Sequence, residues 1–294
     1  MELQIDKNIL KNAINIVVGV TKQSSLMDIL KNIKMDVSSD TIEFSTSNLS
    51  QSVTHSINNL DDCKPESVLL NASKLQTILA TWKDDNVIIK GDSQSITISG
   101  KGCKYKLQCN DIVSAFPKRE DIAGNEYFSI RVNTLQDIVS KTCFIVKDEK
   151  VRVVLSGVLL KVSNGVLNAV ALDGRRMAIY TDSVNSDDID TQCIIPANSL
   201  LELSRLLSTQ KTGQDDEIKC YIKDKQTSFV YENTIFHTQN IDGKYPDYSQ
   251  IIPEIININI NLNKNLLMSS VKRAAIFIGD DVTGITLKSE NNKL

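Results

Sequence analysis

The chain has 294 residues, of which 41% are hydrophobic, 23% charged and 5% aromatic, and its formal net charge at pH 7 is −3. This length allows two well-packed cores, and the low aromatic content predicts interiors built on Ile, Leu and Val. The mildly acidic balance excludes a protein that binds nucleic acid through bulk positive charge, so any contact with DNA requires basic residues gathered on one face.

The cysteines and histidines show no spacing typical of a metal site. No two cysteines form a Cys-x-x-Cys pair, and His55 and His237 are the two histidines. We therefore expect reduced, scattered cysteines and no metal or cofactor, rather than a zinc site or a disulfide framework. The start of the chain has no apolar signal run and no segment approaches about 18 apolar residues, which predicts a soluble cytoplasmic protein. The six cysteines are Cys63, Cys103, Cys109, Cys143, Cys193 and Cys220.

The first part of the chain predicts a helix and then strands. Apolar residues at helical spacing form one side of the helix, Asp6 is placed to cap it, and polar residues take the opposite side. The apolar residues are Ile9, Ala13, Ile16, Val17 and Val20, and the polar ones are Asn8, Lys11, Asn12 and Asn15. Alternation around 33–37, 42–44 and 53 indicates antiparallel strands with one buried face.

A second helix is predicted to end near Trp82, and strands are predicted at 86–90, 95–99 and 105–109. Gly100-Lys101-Gly102 lies between the last two strands. It lacks the upstream Gly and the following Ser or Thr of a phosphate-binding loop, so we interpret it as a basic hairpin turn.

After a predicted linker at 116–125, the same order of elements returns. Helices are predicted at 134–146 and 197–207. Strands are predicted at 153–162, 166–171, 176–180, 218–222, 227–231 and 234–239. Strands outnumber helices and no strand–helix–strand crossover rhythm is present, which predicts the α+β class rather than a doubly wound α/β fold.

The repeated order of elements reflects three segments of the chain that open with similar sequences. Similar openings lie at 5–17, 132–146 and 262–277, about 125–130 residues apart, which is the length of an ordinary domain. A second similar pair lies at 71–83 and 196–208. We predict three domains, at 1–120, 125–252 and 253–294, with the third one partial and truncated.

The acidic clusters do not indicate a catalytic site. Asp187, Asp188 and Asp190 lie together, as do Asp280 and Asp281, but both groups stand in loop-like sequence without supporting ligands. We interpret them as solvated loop acids. Neither histidine has neighbours that suggest a catalytic triad, so the sequence does not predict an enzyme.

The segment 155–180 is the strongest candidate for a binding site. Two apolar strands flank the hairpin turn Ser163-Asn164-Gly165, and a third strand follows Asp173-Gly174-Arg175-Arg176-Met177. In one interpretation Leu155, Leu172 and Met177 line an apolar cleft with Arg176 at its edge. In the other, the segment is a well-packed three-stranded meander with surface arginines.

Three motifs together resemble the bacterial sliding clamps, the beta subunits of DNA polymerase III. The residues 155–160 (LSGVLL) and 171–177 (ALDGRRM) are similar to the family's LNGVLL strand and ATDGHRL turn. The residues 241–248 (IDGKYPDY) are similar to the junction between its middle and last domains, and 271–275 (VKRAA) to the opening helix of its last domain.

This resemblance implies tandem clamp domains of the processivity fold, each with helices on the concave side and antiparallel sheets outside. It implies a replication processivity factor, not an enzyme, in which two subunits form a ring around duplex DNA. Basic residues on the inner helices would attract phosphates without reading sequence. The candidates are Lys7, Lys11, Lys22, Lys74, Arg205, Lys272 and Arg273. The alternative for each is an ordinary solvated charge.

The resemblance also implies a cleft that captures short peptides from the polymerase catalytic subunit, the clamp loader and repair proteins. Such exchangeable contacts have micromolar affinity, about −8 kcal/mol. Carried over by motif, the lining is Leu155, Leu172, Gly174, Arg175, Arg176, Met177, Pro246, Gln250 and Ile251.

The chain departs from the family pattern at several places. Leu172 and Arg175 replace the usual Thr and His, which predicts a pocket that is more apolar on one side and more basic on the other. The remainder of the last domain is missing, so we expect impaired closure of the homodimeric ring. A clamp-derived decoy that binds partner peptides without encircling DNA, and an enzyme whose repeats cradle a small ligand, are the alternatives.

Overall fold

The computed structural model describes most of the chain as two compact units, residues 1–245 and 246–294. The described residues are 1–23 (backbone only at 22 and 23), 27–59, 65–109, 113–118, 122, 126–146, 152–186, 189–210, 212–223, 225–253, 255, 259–278 and 284–290. The predicted domain boundaries at 120 and 125, Cys63, and the acidic residues 187, 188, 280 and 281 lie outside this set. The boundaries therefore remain a prediction.

The first unit contains two modules with the same order of elements: one strand, a helix, four strands, a helix and three strands. The first module comprises β1 (Glu2–Asp6), α1 (Lys7–Val17), β2 (Asn32–Val37), β3 (Thr41–Ser47), β4 (Gln51–Asn58), β5 (Glu66–Asn71), α2 (Ala72–Thr81), β6 (Asn86–Gly91), β7 (Ser95–Gly100) and β8 (Cys103–Gln108).

The second module repeats each of these elements. It comprises β9 (Phe128–Arg131), α3 (Val132–Thr142), β10 (Gly157–Ser163), β11 (Val166–Leu172), β12 (Met177–Ser183), β13 (Thr191–Pro196), α4 (Ala197–Thr209), β14 (Glu217–Lys223), β15 (Gln226–Tyr231) and β16 (Thr234–Gln239). The α+β class and the internal duplication predicted from the sequence are confirmed.

The described strands form three antiparallel sheets, and one of these sheets runs through both modules. The two four-stranded sheets have the orders β1-β6-β7-β8 and β12-β11-β10-β13, and the eight-stranded sheet has the order β5-β2-β3-β4-β16-β15-β14-β9. Half of each module's strands enter this shared sheet, which is continuous because β4 pairs with β16. We call this pairing the seam; in it Thr234 faces His55 and Thr238 faces Gln51.

The four α-helices described in the first unit form a connected layer, since α1 contacts α2 and α4, and α4 contacts α3. Asp6 caps α1 as predicted, with its carboxylate accepting from the backbone N–H groups of Asn8 and Ile9. Four of the five residues predicted for the apolar stripe are buried, and Ile9, which is 52% exposed, is the exception; Leu10 and Ile14, which the prediction omitted, are buried as well. Because apolar residues occupy neighbouring positions in α1, the sequence allows more than one buried helix face, and the contacts with β4 decide which face is buried.

Four strands were missed by the sequence pattern: β1, β5, β9 and β13. Each is short, each runs directly into a helix, and each completes a sheet, as β1 does beside β6. Residues 153–156 form a 3-10 helix instead of the start of the predicted strand, and α3 ends at Thr142 rather than at 146. A short apolar run can belong either to a strand or to the start of a helix, and pairing with a distant strand determines which of the two forms.

Three further predictions concern the turn at 100–102, the cysteines and membrane-spanning segments. Lys101 and Gly102 form the two-residue turn between β7 and β8, with Gly102 at φ +83°, which confirms the hairpin turn. The five described cysteines form no disulfide. Within the described ranges, none of the helices combines the length and apolar character needed to cross a membrane.

The second unit contains a 3-10 helix at Tyr248–Ile251 and α5 (Lys264–Ala275). Asn263 caps α5, its side-chain oxygen accepting from the backbone N–H groups of Asn265 and Leu266. None of the described α5 side chains is buried.

Candidate functional site

The turn between β11 and β12, residues 173–176, has its backbone fixed by Asp173. The Oδ1 atom of Asp173 accepts from the backbone N–H groups of Arg175 and Arg176, each at 3.1 Å. These hydrogen bonds, led by that of Arg175, lower the pKa of Asp173, with a further contribution from the Arg176 side chain. Gly174 takes φ +79°, a left-handed conformation that glycine adopts without steric cost. The turn therefore presents two arginines on a rigid backbone.

Arg176 is held between a carboxylate and an aromatic ring. Its Nε donates to Asp173 Oδ2 at 3.0 Å, and its guanidinium carbon lies 5.7 Å from the ring centre of Phe144. Phe144 is 62% exposed, so its ring lies at the surface beside the turn. The contact of Phe144 with Arg176 could not be predicted from the sequence, because an aromatic residue just after a helix carries no sign of which turn it approaches.

Of the predicted apolar lining in the first unit, the structure brings Leu172 and Met177 together as cross-strand partners. Leu155 lies in the 3-10 helix that leads into β10, the neighbour of β11. Leu155 is 3% and Leu172 is 6% exposed, so both lie beneath the surface, and Met177 is half-buried. In this conformation the segment is chiefly a packed meander with surface arginines, and Met177 is the most accessible of these three predicted lining residues.

The chain that follows β16 is attached to this meander by Tyr245. The Tyr245 hydroxyl donates to the Val170 carbonyl oxygen at 3.2 Å, and burial raises the pKa of this tyrosine to about 12. The predicted residues Pro246, Gln250 and Ile251 belong to the second unit and are exposed there. Gln250 Nε2 donates to Asp247 Oδ2 at 2.8 Å.

Five of the seven residues predicted to contact phosphates lie on α1, α2 and α5, and Arg205 lies on α4. Lys7 and Lys11 on α1 are partly buried, and Lys74 on α2 is exposed. The two helices are joined through Gln76 Nε2, which donates to Asn15 Oδ1 at 3.2 Å. In the second unit Lys272 and Arg273 are exposed on α5. The side chain of Lys22 lies outside the described set.

Arg205 is engaged between the two modules. Its Nη1 and Nη2 atoms donate to the carbonyl oxygens of Asn15 and Ile16 in the last turn of α1, at 3.3 and 3.1 Å. Its guanidinium also forms an ion pair with the largely buried Glu202 carboxylate at 2.7 Å. Sequence reasoning assigned this arginine to DNA, and that assignment stays a prediction. The contacts show that it satisfies helix-end carbonyl groups that α1 itself leaves unpaired.

Comparison with known proteins decides the family. Residues 1–117 match the model of the DNA polymerase III beta subunit N-terminal domain, and residues 129–247 match that of its central domain. The chain belongs to the DNA polymerase III beta subunit family. The family resemblance stated from the motifs is thereby confirmed, and the two matched ranges coincide with the two structural modules.

Curated relatives extend the sliding-clamp similarity over the whole chain. The beta sliding clamp of Pseudomonas aeruginosa is 26% identical over 299 residues, covering 100% of this chain and 79% of the relative. That of Buchnera aphidicola is 28% identical with the same coverage. The chain is thus a non-catalytic processivity factor, and these relatives do not favour the decoy or the enzyme alternative.

Solved structures show the same clamp fold. The sliding clamp of Bacillus subtilis superimposes with a TM-score of 0.89 at 24% identity, covering 95% of this chain and 75% of that one. A P. aeruginosa sliding clamp bound to griselimycin gives a TM-score of 0.84 at 26% identity, covering 94% and 74%. Repeated clamp domains with antiparallel sheets are therefore the architecture of this family member.

Proposed function

We propose that this chain encircles duplex DNA and tethers replication proteins to it, without catalysing a reaction. The observation that carries this proposal is the edge-to-edge joining of two equivalent modules at the seam, with their helices in one connected layer. A joint of this type can be repeated, because each module presents the same kinds of sheet edge. Repetition of one joint is how identical or equivalent units form closed rings.

The equivalence of the modules identifies a strand for the next joint. In the repeat, β8 corresponds to β16, and β16 is the strand that pairs across the seam. β8 is the outer strand of its own sheet and exposes Lys104, Tyr105 and Lys106. An outer strand carries unpaired backbone groups that can pair with another chain. We propose that β8 joins the equivalent of β4 in a second copy to form a homodimeric ring.

The proposed contact with DNA uses basic residues of the helices as weak, sequence-independent phosphate contacts. Lys7, Lys11 and Lys74, together with Lys272 and Arg273, are the residues assigned to it, and the assignments of Lys22 and Arg205 also stay predictions. Each phosphate contact that is lost should reduce the slope of log affinity against log salt by about 1. Weak contacts suit a ring that slides, since topology rather than affinity keeps it on the DNA.

Retention on DNA tests the proposal. The chain is incubated with nicked circular DNA, ATP and a bacterial clamp loader, and is washed in high salt. Encirclement predicts retention on the circle and loss when the DNA is linearised, because only the circle blocks sliding off an end. Loss from both DNA forms at the same rate would contradict it. The triple variant Lys7→Glu, Lys11→Glu, Lys74→Glu should load less well, whereas Lys161→Glu, on an exposed position of β10, should load normally.

The proposed peptide site of the first unit is the turn 173–176 with Met177, and it serves the polymerase catalytic subunit, the loader and repair proteins. The assignment of Pro246, Gln250 and Ile251 to peptide binding stays a prediction. Leu155 and Leu172 would become accessible when a peptide binds. A labelled clamp-binding peptide from the polymerase should bind with micromolar affinity. Arg176→Glu should weaken it at least about tenfold, since it removes one cation from the turn and adds a carboxylate. Equal binding to Arg176→Glu and to Lys161→Glu would contradict this site. The proposed location of the protein is the cytoplasm.

A further inference from the structure

Two outer strands of the first unit correspond to the two strands that meet at the seam. Across the seam, β4 of the first module pairs with β16 of the second. Because the second module repeats the first, β8 corresponds to β16, and β12 corresponds to β4. Among the described strands, β8 and β12 each lie at the end of a four-stranded sheet. One edge of each kind is therefore left over after the seam has formed.

The hairpins fix this correspondence residue by residue. The β7–β8 and β15–β16 hairpins both have two residues in the turn, so β8 and β16 can be aligned from their first residues. The β3–β4 and β11–β12 hairpins both have four, residues 48–51 and 173–176, which aligns β4 with β12. The matched pairs used below are Tyr105 with Phe236, Lys104 with Ile235, Ala178 with Val53 and Ile179 with Thr54.

The register of the seam, applied to β8 and β12, brings accessible residues opposite each other. At the seam Phe236 faces Val53, and the two are 1% and 0% exposed. The same register places Tyr105, which is 40% exposed, opposite the half-buried Ala178. The neighbouring Ile179 of β12 is 39% exposed. Pairing of the two strands would satisfy their free backbone groups and remove this apolar surface from water.

On the helix side, the seam sets a small residue against two large ones. Gly19 lies two residues beyond the end of α1, and a Cβ atom there would overlap Glu202 and Arg205 of α4. The seam therefore closes on this side because Gly19 leaves room for the ion pair of the other two residues.

The helices next to β8 and β12 reverse these sizes. The residue two positions beyond the end of α3 is Phe144, which takes the place of Gly19 and is 62% exposed. Glu202 and Arg205 are the sixth and ninth residues of α4, and those positions of α2 hold smaller, exposed side chains. The two smaller residues are Thr77 and Ala80. A large residue and a surface of two small ones are thus each left without their counterpart of the seam.

We propose that β8 of one copy of this chain pairs with β12 of a second copy in the register of the seam, with Phe144 of the second copy packed on Thr77 and Ala80 of the first. A second copy is the occupant because the same two kinds of edge already pair within the chain. The contact is head to tail, so a closed assembly uses both edges of every copy. This inference rests on the proposed function and identifies β12 as the strand that β8 joins.

Disulfide trapping between two differently tagged copies tests the register. The seam pair of Ile235 with Thr54 predicts that Lys104 of one copy lies opposite Ile179 of the other, within reach of a disulfide. A mixture of Lys104→Cys and Ile179→Cys chains should form a cross-linked product under mild oxidation. Ser183→Cys is the matched control, since Ser183 is also exposed on β12 but lies four residues further along. It should give at least about tenfold less product with Lys104→Cys, and equal yields would overturn the register.

An exchange of sizes tests the helix contact. Ala80→Arg gives α2 the large residue of α4, so Phe144 of the second copy loses its place and association should weaken at least about tenfold in analytical ultracentrifugation. Adding Phe144→Gly should restore association, because the small-against-large contact of the seam is then recreated. Ser73→Arg, at another exposed position of α2, should associate like the wild type. Normal association of Ala80→Arg, or a loss that Phe144→Gly does not repair, would overturn the contact.

The DNA-retention assay, run on the same samples, separates this inference from the proposed function. Trapping of β8 with β12 without retention on circular DNA would support the joint and count against encirclement. Retention without trapping would overturn the joint and leave encirclement standing. A chain that stays monomeric at high micromolar concentration and is lost from circular DNA would overturn both.

Discussion

At the scale of single residues, His55 makes the seam sensitive to acid. His55 Nδ1 and Thr234 Oγ1 share a hydrogen bond of 2.8 Å across β4 and β16, and Thr234 also accepts from Gln210. Burial lowers the pKa of His55 from 6.5 to about 4, because the charged imidazolium loses its solvation there. The folded protein therefore holds a neutral imidazole at pH values where the unfolded chain is protonated.

This pKa difference sets the sign of the pH dependence. Between about pH 6.5 and 4 the unfolded state binds more protons than the folded state, so stability is full above pH 6.5 and falls as the pH falls. From pH 7 to about pH 4.5 we expect a loss near 2 kcal/mol from this residue alone. Denaturant unfolding of the wild type and of His55→Gln at both pH values measures it.

Other groups titrate in the same range, so the difference between the two proteins is the informative quantity. Hydrogen bonds also lower the pKa values of Asp182 and Asp216, through Thr134 and Tyr231 respectively. Both carboxyl groups are present in the wild type and in His55→Gln. Identical losses of stability in the two proteins would show that His55 does not couple the seam to pH.

At the scale of elements, Arg205 ties α4 to the end of α1 and so connects the two modules on the helix side. Arg205→Ala would leave the Asn15 and Ile16 carbonyl oxygens and the buried Glu202 carboxylate without this partner. Loss of charged hydrogen bonds of this kind costs about 2–3 kcal/mol. We expect a lower free energy of unfolding by that amount, measured by chemical denaturation.

Lys74→Ala is the matched control for Arg205→Ala. Lys74 is also a helix cation, but its side chain is exposed, so its removal should change the free energy of unfolding by less than about 0.5 kcal/mol. If Arg205 is chiefly a phosphate contact, the two variants will instead resemble each other: both will weaken DNA loading and neither will lower stability.

Gly19 lies against the same ion pair of Arg205 and Glu202. A Cβ atom at this position would overlap the Glu202 carboxylate and the Arg205 guanidinium. Gly19→Ala should therefore displace the ion pair and reproduce part of the Arg205→Ala loss. In the double variant the two losses should not add, because both changes act on one contact. Additive losses would mean that Gly19 and Arg205 stabilise the protein separately.

The elements also show how far sequence reasoning reaches. Amphipathic helices and alternating strands such as β3 could be predicted because their periodicity is local. β5 and β13 could not, since each is a short run whose strand character comes from pairing with β2 or β10. The seam was missed for the same reason: β4 and β16 are about 180 residues apart, and nothing in either strand specifies that partner.

The candidate site also has parts that could be predicted from the sequence and parts that could not. The Asp-Gly turn at 173–174 could be predicted because turn chemistry is written in adjacent residues. The sequence left two interpretations of the segment 155–180, an apolar cleft or a packed meander, and the burial of Leu155 and Leu172 agrees with the meander. The choice could not be made from the sequence, since burial depends on neighbours distant in sequence. Phe144 beside Arg176 and the engagement of Arg205 were missed because both are tertiary contacts between separate elements.

At the scale of the whole molecule, the shared sheet should make the first unit unfold as one body. The seam places β4 and β16 in the interior of an eight-stranded sheet, whereas β8 is the outer strand of its own sheet. Backbone amides in interior strands exchange through global unfolding, and those at edges through local opening. In a dilute, monomeric sample we therefore expect hydrogen exchange in β16 to be at least about tenfold slower than in β8.

Association of the chain with a second copy should change the hydrogen-exchange rate of β8 but not that of β16. If β8 forms the proposed intersubunit joint, its amides gain partners and its exchange slows as the protein concentration rises. Exchange in β16 should stay constant, since its partner is already within the chain. Mass spectrometry of peptides covering the two strands, with light scattering at each concentration, measures both. A dimer in which β8 still exchanges rapidly would place the interface elsewhere on the molecule, and the repeated seam would then not be the principle of the ring.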